Sequence, residues 1–163
     1  MNDLKVAVLP LNITWADIDE NLYATSKLLS KVDKDTDIVV LPELFTTGFI
    51  NTETLLEKYS EPADKSMSIK QLSLWAEKYN FAIAGTFLVK EEGKFYNRAF
   101  FVEPSGECTF YDKKHLFGLS TEATQFTSGI KPIPVIRYRG WNIAMAICYE
   151  LRFPAWLRNV SAI

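Results

Sequence analysis

Apolar runs and helical stripes alternate along the first half of the chain. Lys5-Val6-Ala7-Val8-Leu9-Pro10-Leu11 predicts a buried strand. Over residues 17–32 the spacing changes. Ile18, Leu22, Leu29 and Val32 share one helical face, while Asp19, Lys27 and Lys31 fall elsewhere. Thr14 followed by Asp17 resembles an N-terminal cap signal, with Asp where Glu or Gln is usual. Asp37-Ile38-Val39-Val40-Leu41-Pro42-Glu43 predicts a second strand, and its unbroken apolar run suits a parallel strand covered on both faces. Residues 66–79 predict a second helix with Ile69, Leu72, Trp75, Ala76 and Tyr79 as its stripe and Asn80 as its C-cap. Residues 81–89 predict a third strand.

The pattern then becomes strand-rich. Glu92-Gly93 is a turn signal before a strand at 97–102, and Pro104-Ser105-Gly106 is another before a short strand at 108–111. Residues 133–138 and 141–148, joined at Gly140, predict a final hairpin. The order strand–helix–strand–helix–strand followed by hairpins argues an α/β class with a mixed sheet. The apolar segment at 152–160 runs on toward a helix with few later elements to pack against.

Composition narrows the function classes. The chain has 163 residues, a formal net charge of −2 and 48% hydrophobic content, which suits one globular domain over 1–163. The balanced charge carries no basic footprint for nucleic acid. No apolar run is long enough to span a membrane, and no basic, cleavable leader opens the chain. Two cysteines make no disulfide framework and one histidine makes no zinc set, so a cytoplasmic protein is expected.

Reactive groups of open α/β sheets collect at the carboxyl ends of strands. Three such ends carry chemistry here. One leads to Glu43, one to Asp112-Lys113-Lys114-His115, and one to Cys148-Tyr149-Glu150. A carboxylate, an ammonium and a thiol form a usable set. The thiol attacks as thiolate, the carboxylate takes its proton, and the lysine holds an oxyanion. Each has a plainer reading: Glu43 as a solvated or capping carboxylate, Lys113 and Lys114 as an exposed charged turn, Cys148 as a small buried hydrophobe. Cys108 takes that last reading, because no acid–base partner accompanies it.

Leu-Pro-Glu-Leu-Phe at 41–45, Tyr-Asp-Lys-Lys-His-Leu-Phe at 111–117 and Cys-Tyr-Glu-Leu-Arg-Phe-Pro at 148–154 resemble, in order, the three signature blocks of the nitrilase superfamily of carbon–nitrogen hydrolases. The resemblance runs from Leu4 to about Asn159 and looks most like the omega-amidase branch. It implies a catalytic set of Glu43, Lys113 and Cys148, with Lys113 chosen over Lys114 because it precedes the histidine by two positions. It implies a supporting glutamate, matched to Glu122 with Gly129 following, for which the plainer reading is an exposed loop carboxylate. It implies an oxyanion hole at the Tyr149 backbone N–H. Arg152 is then a candidate for a substrate carboxylate, or a partner in a structural ion pair.

The implied activity is hydrolysis of a small-molecule amide through a cysteine thioester, with release of ammonia and with no metal or organic cofactor. The implied fold is an α-β-β-α sandwich of mixed sheets, commonly paired into a dimer. Family members continue well beyond the nucleophile block, so the resemblance also implies that this chain stops short after the nucleophile strand. Two other readings compete. One is a non-catalytic relic that pairs with itself or with another chain. The other is a thiol hydrolase using His115 as the base for Cys148.

Overall fold

The apolar runs of the first half become neighbours in one sheet. The structure is a computed structural model that describes residues 3–158. β1 (Val6–Val8), β2 (Ile38–Val40) and β4 (Ala82–Glu91) lie parallel, in the register Val6–Ile38 and Ile38–Ala82. β5 (Lys94–Val102) and β6 (Cys108–Asp112) extend the sheet antiparallel, giving the order β1-β2-β4-β5-β6. β3 (Glu61–Pro62) adds to β4 near its far end. A separate ribbon pairs β7 (Ile136–Tyr138) with β8 (Trp141–Ile143).

Alternation along the strands sorts the core into two faces. Val39, Leu41, Ile83, Phe87, Phe100 and Val102 pack against Leu29 of α1 (Ile18–Leu29) and against Leu72 and Ala76 of α3 (Met67–Tyr79). Phe100 meets Phe45 and Phe87 edge-on at 5.7 and 6.0 Å. Fully buried, such a ring contributes about 1.5–3 kcal/mol. On the opposite face Ile38, Ala82, Ala84 and Phe101 pack against Ile136 and Tyr138 of the ribbon. Helices, sheet and ribbon thus form successive layers, in the expected α/β class with a mixed sheet.

Several expected boundaries move. α1 is capped by Asp17, whose Oδ1 accepts from the Glu20 N–H at 3.0 Å, and Thr14 plays no such part. The expected strand reaching Glu43 ends at Val40. Pro42 has no N–H to pair, and the following segment instead lies along β4, with Leu41 and Phe45 N–H groups bonded to the Ala84 and Thr86 carbonyls. The expected long hairpin shrinks for a related reason. Pro132 and Pro134 cannot donate to a ladder, so β7 starts at Ile136 and leaves β8 no partner past Ile143. Residues 144–147 therefore reach Cys148 as irregular chain rather than strand.

The pattern also misses α2 (Glu53–Tyr59) and α4 (Glu122–Gln125), both too short for a clear stripe. Asn80 closes α3 in the left-handed conformation, as its position after the stripe predicts. Among the described residues, no helix is long and apolar enough to cross a membrane. The helix expected from the apolar segment at 152–160 does not form over 154–158, which are turn and bend, and 159–163 lie outside the described residues.

Candidate active site

The lysine is built first, by the sheet. The Lys113 N–H bonds the Asn97 carbonyl at 3.0 Å, extending the β5–β6 ladder one residue past Asp112. The Gly129 N–H in turn bonds the Lys113 carbonyl at 2.9 Å. A Cβ at Gly129 would stand 2.1 Å from the Asp112 carbonyl oxygen, so only glycine admits this approach. The result is a Lys113 side chain only 2% exposed.

Its ammonium is surrounded by carboxylates. Lys113 Nζ donates to Glu43 Oε1 at 2.8 Å and to Glu122 Oε1 and Oε2 at 2.8 and 3.0 Å. Glu122, also 2% exposed, is held by the Phe117 N–H at 2.7 Å and supplied by the one-turn helix α4. Asn97 Nδ2 donates to Glu43 Oε1 at 2.7 Å and reaches Glu122 Oε1 at 3.4 Å. Burial alone pulls the Lys113 ammonium toward neutrality. The hydrogen bonds and charges of Glu122 and Glu43 outweigh it and hold its pKa above the ordinary lysine value.

The exposed-turn reading of Lys113 and the exposed-loop reading of Glu122 are therefore both overturned. Lys114, half-buried, instead uses its backbone N–H to bond Glu150.

Cys148 opens a short 3₁₀ turn (Cys148–Arg152) and is exposed, which overturns the buried-hydrophobe reading. Its φ is +45°, the left-handed region that a residue with a β-carbon rarely adopts. Burial of the thiol raises its pKa. The charge of Glu43 and a hydrogen bond to it push the same way, and Lys113 opposes them. A raised pKa favours the thiol over the thiolate, and Glu43 is the carboxylate beside it.

Glu43, Lys113, Glu122 and Cys148 all line one cavity of about 540 Å³, walled by Phe49, Phe117, Tyr149 and Leu151. Arg152 lines it too, is exposed, and forms no ion pair among the described residues. A second, largely apolar cavity of about 390 Å³ reaches Glu43 and Cys148 along the ribbon side of the sheet, past Val6, Ile38 and Met145.

His115 lines neither cavity. It stacks on Phe153 with ring centroids 3.9 Å apart and meets Trp156 edge-on at 5.4 Å. That is a packing position, and it removes the basis for a Cys–His arrangement.

A family model described as carbon-nitrogen hydrolase matches residues 5–162. The chain belongs to the carbon–nitrogen hydrolase family. Omega-amidase YafV of Escherichia coli (strain K12) is 33% identical over 161 residues, which is 99% of this chain and 60% of that protein. The 2-oxoglutaramate amidase of Bacillus subtilis (strain 168) is 30% identical over 158 residues, 94% of this chain and 59% of its own length. The chain thus spans about 60% of the length of these curated relatives. Among solved structures, XC1258 from Xanthomonas campestris superposes with a TM-score of 0.89 at 30% identity, covering 98% of this chain and 58% of that one. Its description is of a CN-hydrolase superfamily protein with an arsenic adduct in the active site.

Two residues of this carbon–nitrogen hydrolase site escape sequence reasoning. Asn97 is a fully buried polar residue on the strand face it shares with Phe95, Ala99 and Phe101 of β5, and a polar side chain among those alternate apolar positions was its only signal. Glu150, also fully buried, stands inside the third signature block but carries no role there that spacing reveals.

Proposed function

We propose that this chain supplies the reacting groups of an amidase that hydrolyses the amide of a small carboxylate substrate. Glu43 takes the Cys148 proton, and the sulfur attacks the amide carbon. Lys113, which keeps its proton, and the Tyr149 backbone N–H hold the oxyanion. The C–N bond breaks as Glu43 returns the proton to nitrogen, and ammonia leaves a thioester. Glu43 then takes a proton from water, the hydroxide attacks the thioester carbon, and the C–S bond breaks. The proton on Glu43 returns to the departing sulfur. Glu122 keeps Lys113 charged and aimed.

The observation that carries this reading is the Lys113 ammonium held between Glu43 and Glu122 on the wall of the cavity that Cys148 faces. The substrate class is read as 2-oxo acid amides. The omega-amidase of E. coli and the 2-oxoglutaramate amidase of B. subtilis support it, as does Arg152 on the cavity wall, which forms no ion pair among the described residues.

Ammonia release from 2-oxoglutaramate and from glutamine analogues tests the reading. The chain releases ammonia, and Cys148→Ala falls by at least about 10³-fold. Equal release by the two proteins overturns it. That outcome favours the second reading, a non-catalytic domain that pairs with itself or with another chain. The specific support for that alternative is Val6 and Val8, 51% and 72% exposed, beside the apolar cavity.

A further inference from the structure

Glu150 has no part in the chemistry proposed above, yet it is fully buried and engages four donors. Its Oε1 accepts from the Tyr111 hydroxyl at 2.5 Å, the Lys114 N–H at 2.8 Å and the His115 N–H at 3.3 Å. Its Oε2 accepts from the Ile147 N–H at 2.9 Å. Tyr111 is itself fixed by the Trp156 indole N–H at 3.1 Å.

The chain positions of these donors matter. Tyr111, Lys114 and His115 bracket Lys113, and Ile147 immediately precedes Cys148. One carboxylate thus joins the backbone around the ammonium to the backbone around the thiol. It does so by side-chain bonds, because the ribbon ladder has already ended at Ile143.

Such a carboxylate is costly to bury unless its oxygens are met by donors, and here they are. Removing it would strand the Lys114, His115 and Ile147 N–H groups. Cys148 sharpens the point. A left-handed backbone at a residue with a β-carbon persists only where its surroundings over-determine it. The Ile147 N–H bond to the Glu150 side chain, and the Glu150 N–H bond to the Ile147 carbonyl at 3.0 Å, close that constraint around Cys148 from both sides.

We propose that Glu150 is a positioning residue. It clamps the Cys148 turn to the Lys113 loop and so sets the approach of the thiol to Glu43 and Lys113. The inference rests on the roles proposed for those residues, but its readout needs no turnover. The amide of Glu150→Gln keeps the volume and loses one acceptor whichever way it is turned. The Tyr111→Phe change removes one donor and leaves the carboxylate in place.

The test labels the 163-residue chain with iodoacetamide at mildly alkaline pH and quantifies Cys148 and Cys108 separately by peptide mass spectrometry. Cys108, half-buried at the start of β6, is the internal control. A thiol moved away from the Glu43 charge and hydrogen bond that hold its pKa up alkylates faster. The ratio of Cys148 to Cys108 labelling therefore rises at least about threefold in Glu150→Gln and about twofold in Tyr111→Phe. Ammonia release, where measured, falls about tenfold in kcat with little change in KM. A ratio equal to that of the parent in both variants overturns the proposal and leaves Glu150 with folding alone. Should Glu150→Gln speed both thiols together, it has unfolded and Tyr111→Phe decides. A raised ratio there supports the clamp, and an unchanged ratio overturns it.

Discussion

Lys113 and Cys148 face one cavity from unlike surroundings. Lys113 continues a sheet strand, is 2% exposed, and has Glu43, Glu122, Asn97 and Gly129 bonded around it. Cys148 is exposed at the head of a short 3₁₀ turn, with Leu151 and Arg152 also exposed beside it. The difference teaches how labour divides in this site. Charge is organised in advance by the sheet, where burial strengthens every ionic contact. The proposed nucleophile is carried on a strained turn reached by irregular chain, held by side-chain bonds rather than a ladder.

The comparison breaks most severely at Lys113. Lys113→Met leaves Glu43 and Glu122 without their cation. Losing one member of a buried pair costs about 3–5 kcal/mol, and losing one oxyanion donor costs about 10²–10³-fold in kcat. Urea unfolding together with ammonia release checks both. A variant of parental stability and turnover would show that the sheet side is not where charge is organised. Gly129→Ala tests the same side through the backbone. The new Cβ lies 2.1 Å from the Asp112 carbonyl oxygen, so about 1–3 kcal/mol of stability is lost and the melting temperature falls. An unshifted melt would remove Gly129 as a constraint on Lys113.

The exposed side is expected to respond more mildly. Arg152→Ala raises KM about tenfold for an amide that carries a carboxylate, with kcat nearly kept, and spares a neutral amide. Equal effects on both substrates would deny Arg152 a part in recognition. The smallest change concerns the thiol. Burial, and then the charge and hydrogen bond of Glu43, hold the Cys148 pKa up. Taking that carboxylate away in Glu43→Gln lowers it, so the alkylation curve moves to lower pH and the rate below the midpoint rises several-fold, roughly twofold to tenfold. A curve that stays put or moves to higher pH would separate Glu43 from the thiol.

Much of the frame was legible from local pattern. The buried runs around β2 and β4, the stripe of α3 and its Asn80 cap follow from spacing alone, because burial on one or both faces writes a period into the chain. The boundaries were not. Prolines at 42, 132 and 134 remove donors, and strand length depends on a partner that the chain itself does not name. The short α2 and α4 lack the length to write a stripe.

The site divides in the same way. The residue types and their order, Glu43, Lys113 and Cys148 in three blocks, stood in the amino-acid sequence, as did the family to which they point. Only the tertiary structure decided that Glu122 is buried against the Lys113 ammonium, that Asn97 bridges the two glutamates, that His115 packs on Phe153 outside the cavity, and that Glu150 ties the thiol's turn to the lysine's loop. The reason is physical. Which groups a chain owns is a local fact, whereas hydrogen bonds spanning 9 to 70 residues exist only once strands and turns have been brought together.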